Sequence, residues 1–388
     1  MVLSYPSPQR LTVTQAEYQR AWVEINLTTL ADNVRQIKRL LKPQTQLMAV
    51  IKADGYGHGA VMTAKTALQA GADWFAVATS QEGITLREAG IQAPILVLGA
   101  INSLEEIKAV VQYNLQPTLC SPQQALIFSD TLQQLGCDLP VHLNIDTGMS
   151  RLGTAWTEAL EFVQFVRQLP HLELVSCYSH FATADDPDPS FMELQHQRFK
   201  EAIAQWQQHH LEPPMLHIAN SAATLTDSCY HYDLVRVGLA LYGLYPESHL
   251  RHKIPLKPAL QIKARITQVK TIPPQSSVSY GRRFVCDRPL RIAVVGIGYA
   301  DGVPRALTNQ MEVLLRGQRV PQIGTVTMDQ LMLDVTTIPD LQPGEIATLI
   351  GRDGQDVIPA EEWADKTNTI SWEILCGFKQ RLPRVYLD

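Results

Sequence analysis

The chain has 388 residues, of which 33 are Lys or Arg and 38 are Asp or Glu, so its net charge is −5. This length suits two domains, and the slightly negative charge argues against nucleic acid as the main partner. No apolar run reaches the roughly 20 residues of a membrane helix, the six cysteines form no C-x-x-C pair, and the first nineteen residues do not resemble a secretory signal, so we expect a cytoplasmic protein with reduced thiols.

Apolar, β-rich runs alternate with helix-period segments between about residues 20 and 255. After the strand-like AWVEINL, eight such runs begin near residues 46, 73, 94, 115, 141, 172, 215 and 234. Short strands that are apolar on both faces and alternate with helices are typical of parallel pairing through crossover connections. They predict an α/β fold with a (β/α)8 TIM-type barrel over residues 20–255, with a doubly wound open sheet as the alternative.

Beyond about residue 255 the pattern changes to strands separated by Gly, Pro and Asp turns, without long helices. We therefore expect a C-terminal mostly-β domain over residues 256–388. Residues 1–19 are predicted to be an N-terminal tail, which is either disordered or an arm that reaches a partner chain.

Candidate reactive residues close the strands of the predicted barrel, where the chemistry of such barrels gathers. Lys52 ends the first barrel strand inside AVIKADGYGHG. A lysine held partly out of water is available as the free amine that Schiff-base chemistry needs, although a strand-end lysine that reaches bulk solvent is the alternative. Polar residues also stand at later strand ends: Arg151, His180, His217, Asn220, Ser221 and Arg236, with Gly238 close behind.

Each of these side chains has an ordinary structural interpretation, the histidines as hydrogen-bonded core residues and the arginines as solvated charges. Together at one rim they favour an anionic cofactor that carries an aldehyde. Its phosphate would lie at the loops after strands seven and eight and its carbonyl carbon at Lys52, and pyridoxal 5′-phosphate fits this description. No cluster has the spacing of a zinc or calcium site, so no metal is expected.

Motifs over nearly the whole chain, from WVEINL to RLPRVYL, resemble those of the alanine racemase family. The family consists of pyridoxal-phosphate enzymes with a barrel and a C-terminal β-domain. The resemblance implies a cytoplasmic isomerase that interconverts L-alanine and D-alanine and supplies D-alanine for peptidoglycan. It also implies a head-to-tail homodimer.

The resemblance assigns roles in the barrel residue by residue. AVIKADGYGHG implies Lys52 as the Schiff-base residue and Tyr56 as a phosphate contact. DTGMSRLG implies that Arg151 contacts the cofactor and the substrate carboxylate. HIANSAA implies Ser221 as a phosphate contact, with His217 and Asn220 as supporting residues. VRVGLALYG implies Arg236 at the pyridine nitrogen, with Gly238 and Leu239 as further phosphate contacts.

In the C-terminal region, VSYGRRF implies Tyr280 as the catalytic tyrosine, which faces Lys52 of the partner subunit. GYADGVPR and TVTMDQ imply a substrate entrance formed by Tyr299, Arg305, Met328 and Asp329, with Met328 also contacting substrate. The implied mechanism uses two bases, Lys52 on the D-alanine side and Tyr280 on the L-alanine side. Two cofactor-site residues, His180 and Arg236, are inferred to be the cations that stabilise the negative form of this tyrosine.

Two positions depart from the family pattern. Asn144 stands where many members have a carbamylated lysine, so a bound anion such as chloride is expected to balance Arg151. Gln380 stands where many members have a tyrosine before the last RVPR-like motif, so the contact of that tyrosine is missing here.

Other functions remain open on the sequence. They are a racemase of serine or lysine, a decarboxylase of similar architecture, a cofactor-binding regulatory protein and a purely structural or binding protein. DTGMSRLG and VSYGRRF favour the racemase over the decarboxylase. The regulatory proteins have a barrel alone, whereas this chain adds a β-domain that carries Tyr280, and a structural protein leaves the strand-end cluster unexplained.

Overall fold

The computed structural model describes residues 19–388, so the predicted N-terminal tail lies outside the described residues except for Gln19. Contacts divide the chain into two compact units. The barrel unit comprises Thr29–Gly55 and Ala60–Lys257, and the β unit comprises the segment that ends at Thr28, Tyr56–Gly59 and Pro258–Asp388. None of the helices in this part of the chain combines the length and hydropathy of a membrane-spanning segment.

The first strand, β1 (Ala21–Asn26), lies in the β unit. It pairs antiparallel with the strand over Leu260–Ile272 and parallel with the strand over Arg384–Leu387. The sequence placed this segment in a barrel domain that starts at residue 20. Its two pairing partners follow it by more than 200 residues, and local periodicity carries no information about such distant pairing.

The barrel unit is built on eight parallel strands in a nearly closed ring, which confirms the predicted TIM-type barrel. With one short extra strand, they are β2 (Gln46–Val50), β3 (Trp74–Val77), β4 (Ile95–Ala100), β5 (Gln116–Leu119), β6 (Leu139–Asp146), β7 (Thr154–Ala155), β8 (Leu172–Tyr178), β9 (Met215–His217) and β10 (Leu234–Val237). The ring runs β10-β2-β3-β4-β5-β6-β8-β9, with β7 on β6. The amide of Asp233 donates to the carbonyl of Leu216 at 3.1 Å, which joins the two ends.

Helices lead into and connect the strands of the barrel unit, and the first of them follows β1 of the β unit. They are α1 (Leu27–Leu40), α2 (Ala60–Gln69), α3 (Ser80–Glu88), α4 (Leu104–Gln112), α5 (Pro122–Leu135), α6 (Ala159–Gln168), α7 (Ser190–Gln208) and α8 (Ser221–Thr226). Four of these helices begin at an N-cap residue whose side chain accepts the backbone N–H three residues later. The four N-cap residues are Thr79, Ser103, Ser121 and Asn220. Such caps satisfy amides that the first helical turn leaves unpaired, so these sequence signals set where the helices begin.

The β unit continues with ten strands and two short helices. They are β11 (Leu260–Ile272), β12 (Ser277–Val278), β13 (Phe284–Val285), β14 (Leu290–Val295), β15 (Glu312–Leu315), β16 (Gln318–Pro321), β17 (Leu331–Asp334), β18 (Ile346–Asp353), β19 (Asp356–Ile358), α9 (Ala360–Thr367), α10 (Ser371–Gly377) and β20 (Arg384–Leu387). The long β11 pairs with β1, β14 and β18. This arrangement confirms the predicted mostly-β C-terminal region.

Candidate active site

Lys52 lies two residues after the end of β2 and opens a left-handed turn. The φ angles of Ala53, Asp54, Gly55 and Tyr56 are 52°, 52°, 61° and 52°. This conformation costs roughly 1–2 kcal/mol for each residue that carries a Cβ. A turn with three such residues persists only where the surrounding structure holds it, and such strain is often found at functional sites.

Two carboxylates support the turn after Lys52. The carboxylate of Glu82 accepts the amides of Ala53 and Ala78, each at 2.7 Å. Asp54 accepts the amide of Ala60 at 2.8 Å, at the start of α2. Glu82 was not among the residues predicted from the sequence, although Thr79-x-x-Glu82 has the capping-box spacing that precedes a helix.

Arg236 is a buried cation at the rim, with 3% of its surface exposed. Nη1 donates to Nδ1 of His217 at 2.9 Å, and Nη2 donates to Nδ1 of His180 at 2.9 Å and to the Ser179 carbonyl at 2.7 Å. Its guanidinium carbon lies 5.0 Å from the centre of the Tyr178 ring. Burial lowers the pKa of Arg236 to about 10, so the guanidinium stays charged at neutral pH. Within the described residues no carboxylate forms an ion pair with it.

The two histidines beside Arg236 are neutral. Burial and the charge of Arg236 hold the pKa of both rings well below the usual value for histidine. The charges of Arg151 and Lys52 lower the pKa of His180 further. These predicted residues therefore lie close enough to His180 to act on it electrostatically. These charges argue against a cationic His180, because a ring surrounded by three positive charges does not readily gain another proton. Its role toward the tyrosine stays a prediction. Arg236 alone of that pair carries charge.

Asn144 and Arg151 line a small open pocket beside His180. Asp146 accepts the amides of Gly148 and Ser150 at 2.8 and 3.1 Å, which shapes the loop that carries the arginine. At Gly153, where φ is 106°, a Cβ would lie 2.8 Å from the Asn144 carbonyl oxygen. Glycine at this position therefore lets the loop fold back over β6, so that the arginine and the asparagine share one pocket.

Ser221 and Asn220 organise the start of α8, where the sequence predicts a phosphate loop. The Asn220 side chain accepts the amide of Ala223 at 3.0 Å and caps the helix. The Ser221 hydroxyl accepts the amides of Gly238 and Ala240 at 3.0 and 3.5 Å. The Gly238 amide thus bonds to the serine, and its direct donation to a phosphate stays a prediction. The same holds for the roles of Leu239 and of Tyr56, which groups with the β unit.

In the β unit, the loop that carries Met328 is hydrogen-bonded to the backbones of the predicted catalytic tyrosine and of one predicted entrance residue, Tyr299. The hydroxyl of Thr325 donates to the Tyr280 carbonyl at 2.7 Å, and the amide of Tyr299 donates to the Thr327 carbonyl at 2.9 Å. Met328 follows directly on the same loop. The side chains of Tyr280, Tyr299 and Met328 are 73%, 42% and 52% exposed. We call these three residues the tyrosine surface.

The charged entrance residues have more varied surroundings. Asp329 forms an ion pair with Arg381, which directly follows the exposed Gln380. Arg381 also approaches Asp301, with its Nε 3.4 Å from Oδ1. Asp301 is a fully buried carboxylate that the sequence motifs did not predict, and it accepts two hydrogen bonds from Arg20. The exposed Arg305 lies in a short 3-10 turn, and its carbonyl accepts the Thr308 hydroxyl at 2.8 Å.

Two family descriptions match this chain. The family described as alanine racemase, N-terminal domain, matches residues 25–246, and that described as alanine racemase, C-terminal domain, matches residues 259–386. An alanine racemase from Nostoc sp. is 63% identical over 369 residues, which cover 95% of this chain and 96% of that protein. One from Synechocystis sp. is 61% identical over 369 residues and covers 95% and 99%.

Solved structures are similar over the same length. An alanine racemase from Clostridium difficile has a TM-score of 0.91 at 34% identity and covers 95% of this chain and 96% of its own. The crystal structure of an alanine racemase from Bacillus anthracis with bound L-Ala-P has a TM-score of 0.90 at 36% identity, with 96% of each chain covered. The similarity extends over both the barrel unit and the β unit.

Proposed function

The chain belongs to the alanine racemase family and interconverts L-alanine and D-alanine, and we propose that it does so with pyridoxal 5′-phosphate at the barrel rim. The observation that carries this proposal is the state of Arg236. It is a buried cation, and its hydrogen bonds within the described residues go to neutral acceptors. None of these bonds uses Nε, which suits a donor to a neutral ring nitrogen of the cofactor.

The other rim residues also suit this cofactor. Lys52 offers an amine to the aldehyde, and Ser221 lies in the loop proposed to hold the phosphate. Three positive charges act on His180, from Arg236, Arg151 and Lys52. An anionic group among them would reduce their mutual repulsion. When bound, pyridoxal 5′-phosphate supplies an electron sink for the electron pair that remains after the α-proton leaves.

Racemisation needs one base on each face of the α-carbon, because a proton leaves one side and another arrives on the opposite side. We assign Lys52 to the D-alanine side and Tyr280 of the partner subunit to the L-alanine side. The 73% exposure of the Tyr280 side chain supports a role completed by another subunit, and a homodimer is therefore part of the proposal. Arg151 would orient the substrate carboxylate, and Met328 of the partner subunit would limit the space for the substrate side chain.

His180 takes a different role from the one inferred on the sequence. Because Arg236 donates to its Nδ1 and the ring is neutral, the ring proton is on Nε2. His180 can then donate a hydrogen bond to the phenol oxygen of Tyr280 of the partner subunit, while Arg236 supplies the positive charge behind it. This division of roles favours the negative form of the tyrosine without a second cation.

A bound anion is proposed in the pocket of Asn144 and Arg151. Asn144 has no negative charge to offer, and the carboxylate of Asp146 already accepts two loop amides. Chloride would then balance the arginine in place of a carbamate. A crystal structure from chloride-containing buffer checks this, and a pocket that holds neither an anion nor a carboxylate would remove the anion from the proposal.

We also propose that the enzyme acts in the cytoplasm and supplies D-alanine for peptidoglycan. All six cysteines are free thiols, which supports a reducing compartment. Growth of a D-alanine-requiring bacterial strain that expresses this chain tests the supply of D-alanine in a cell. Continued dependence on added D-alanine, despite soluble and active enzyme, would count against this part.

The experiment that tests the reaction uses L-alanine in deuterated water. Loss of optical activity together with α-deuterium incorporation is the expected result. Borohydride reduction followed by peptide mass spectrometry tests the cofactor separately, because it makes the lysine–cofactor bond permanent and should add the cofactor mass at Lys52. If the cofactor mass appears at Lys52 but alanine stays unchanged, the alanine assignment fails, and serine and lysine would be tested next.

A further inference from the structure

A continuous line of hydrogen bonds crosses the interior of the barrel unit from Arg236 to Gln116. It leads from Nη1 of Arg236 to Nδ1 of His217 at 2.9 Å, and from Nε2 of that ring to the Ser176 hydroxyl at 2.9 Å. It continues from Ser176 to Nδ1 of His142 at 2.6 Å, and from Nε2 of His142 to Oε1 of Gln116 at 2.7 Å. The five side chains belong to five different strands, namely β10, β9, β8, β6 and β5.

The middle of this line is sealed from water. His142, Ser176 and His217 have no exposed surface. The Trp74 ring meets His142 edge-on at 5.7 Å, and the Tyr178 ring stacks on His217 at 4.8 Å. A buried polar group without a partner is costly because it loses its hydrogen bond to water and gains none, so the five groups depend on one another for their hydrogen bonds.

The arginine sets the direction of every bond in the line. A guanidinium has donors and no acceptor, so Nδ1 of His217 must accept and its proton must be on Nε2. That Nε2–H donates to Ser176, whose own hydroxyl proton then goes to Nδ1 of His142. His142 consequently has its proton on Nε2 and donates to Gln116.

The opposite direction is excluded by the same logic. If the Gln116 amide donated to His142, the bonds through Ser176 would reverse and would place a proton on Nδ1 of His217. Two donors would then face each other at Arg236. Both rings are also neutral, since burial lowers the pKa of His142 to about 3 and that of His217 well below the usual value. The line therefore has one consistent arrangement.

We propose that Ser176 and His142 are positioning residues. Arg236 fixes the tautomer of His217, and Ser176, supported by His142, holds that ring in place by accepting its Nε2–H, which aims Arg236 at the cofactor ring. The aim toward the cofactor rests on the proposed function. The line is not a path for protons, because it ends in the amide of Gln116, which does not pass protons on. Its effect is to keep the Nδ1 lone pair of His217 permanently directed at Nη1.

The first test uses the wild-type holoenzyme with ¹⁵N-labelled histidine. Nitrogen NMR distinguishes a protonated ring nitrogen from one that accepts a hydrogen bond. We expect His142 and His217 to be neutral with the proton on Nε2, and single His→Gln variants identify the signals. A proton on Nδ1 of either ring, or a doubly protonated ring at neutral pH, would overturn the proposal.

The second test compares Ser176→Ala with Ser129→Ala. Ser129 is also a buried serine of the barrel unit, and its hydroxyl donates to the Pro170 carbonyl at 2.8 Å. The free energy of one hydrogen bond corresponds to roughly a fivefold change in an equilibrium or rate constant. We therefore expect kcat to fall about fivefold in Ser176→Ala, with KM for alanine unchanged. The cofactor absorbance and the His217 nitrogen signals should shift with it, and Ser176→Thr should restore both.

Failure of the positioning role and failure of the proposed function give different results. Equal loss of thermal stability in both serine variants, with kcat, absorbance and nitrogen signals unchanged, would reduce Ser176 to a structural residue. If Ser176→Ala does not fold, the wild-type nitrogen signals still decide the direction of the line. A wild-type protein without bound cofactor would defeat the proposed function, whereas the proton positions on His142 and His217 would remain readable.

Discussion

The predicted functional side chains are buried at the barrel rim and exposed on the tyrosine surface. At the rim, Arg236 is 3% exposed and bonds to the two histidines beside it. On the tyrosine surface the backbones of Tyr280 and Tyr299 are hydrogen-bonded to the 325–328 loop, while Tyr280 is 73% exposed. Burial sets protonation states inside one chain, whereas exposure leaves a side chain to be completed by another molecule. This contrast fits the proposed function, in which the rim of one chain supplies the charge and another subunit supplies the second base.

Removal of the rim amine is expected to have the largest effect. Lys52→Ala should lose the visible absorbance of lysine-bound cofactor and reduce racemisation below detection, because both the bond to the cofactor and one base disappear. Lys65→Ala is the matched control, an exposed lysine on the nearby α2. Absorbance and activity would be recorded for both variants, and an active Lys52→Ala would defeat the site assignment.

Removal of the phenol tests the other side of the comparison. Tyr280→Phe should keep the cofactor absorbance and lose roughly 10²–10⁴-fold of α-deuterium exchange from L-alanine, because one general base is missing. Exchange from D-alanine should be retained. Tyr113→Phe, which removes a phenol that bonds to Glu88 on the outside of the barrel, serves as control. Equal residual exchange from both enantiomers would argue against two bases.

Acid should destabilise the barrel unit through its neutral histidines. In the unfolded chain a histidine binds a proton below about pH 6.5, whereas burial holds the pKa of His142 near 3 in the folded protein and keeps those of His180 and His217 well below the usual value. Below pH 6.5 the unfolded state thus binds more protons, and the unfolding free energy falls by up to about 1.4 kcal/mol per pH unit for each histidine.

Thermal unfolding between pH 7.5 and pH 4.5 measures this effect. Stability should be flat above pH 7 and fall below pH 6.5, and His142→Gln should flatten the fall by one histidine's share. His171→Gln is the control, because that histidine lies at the surface beside Asp138. An identical pH profile for wild type and His142→Gln would show that His142 titrates normally.

Loss of the support under Lys52 should give the smallest effect. Glu82→Ala leaves the amides of Ala53 and Ala78 without their carboxylate acceptor, and we expect a loss of about 1–3 kcal/mol in unfolding free energy. Cofactor affinity should weaken because the left-handed turn loosens. Glu88→Ala on the same helix is the control, and unchanged stability and affinity in Glu82→Ala would show that the turn holds itself.

Many residues of the barrel site could be predicted because they lie at or near the ends of apolar strands that are visible in the sequence. Lys52, His217 and Arg236 each stand in or just after an apolar β-rich run, and alternation with helices places such strand ends at one rim. Glu82 was overlooked although its capping-box spacing was visible. The pairing of β1 with β11 and β20 was not readable, because it joins segments more than 200 residues apart.

The sequence by itself determined the order of strands and helices, the helix caps and the residue types at the rim, since these depend on neighbours within a few positions. Only the tertiary structure decided that His180 is neutral and that Ser176 links His142 to His217. Both results depend on side chains that ring closure brings together from separate strands. Protonation and hydrogen-bond direction follow from burial and from nearby charges, and neither is encoded in the spacing along the chain.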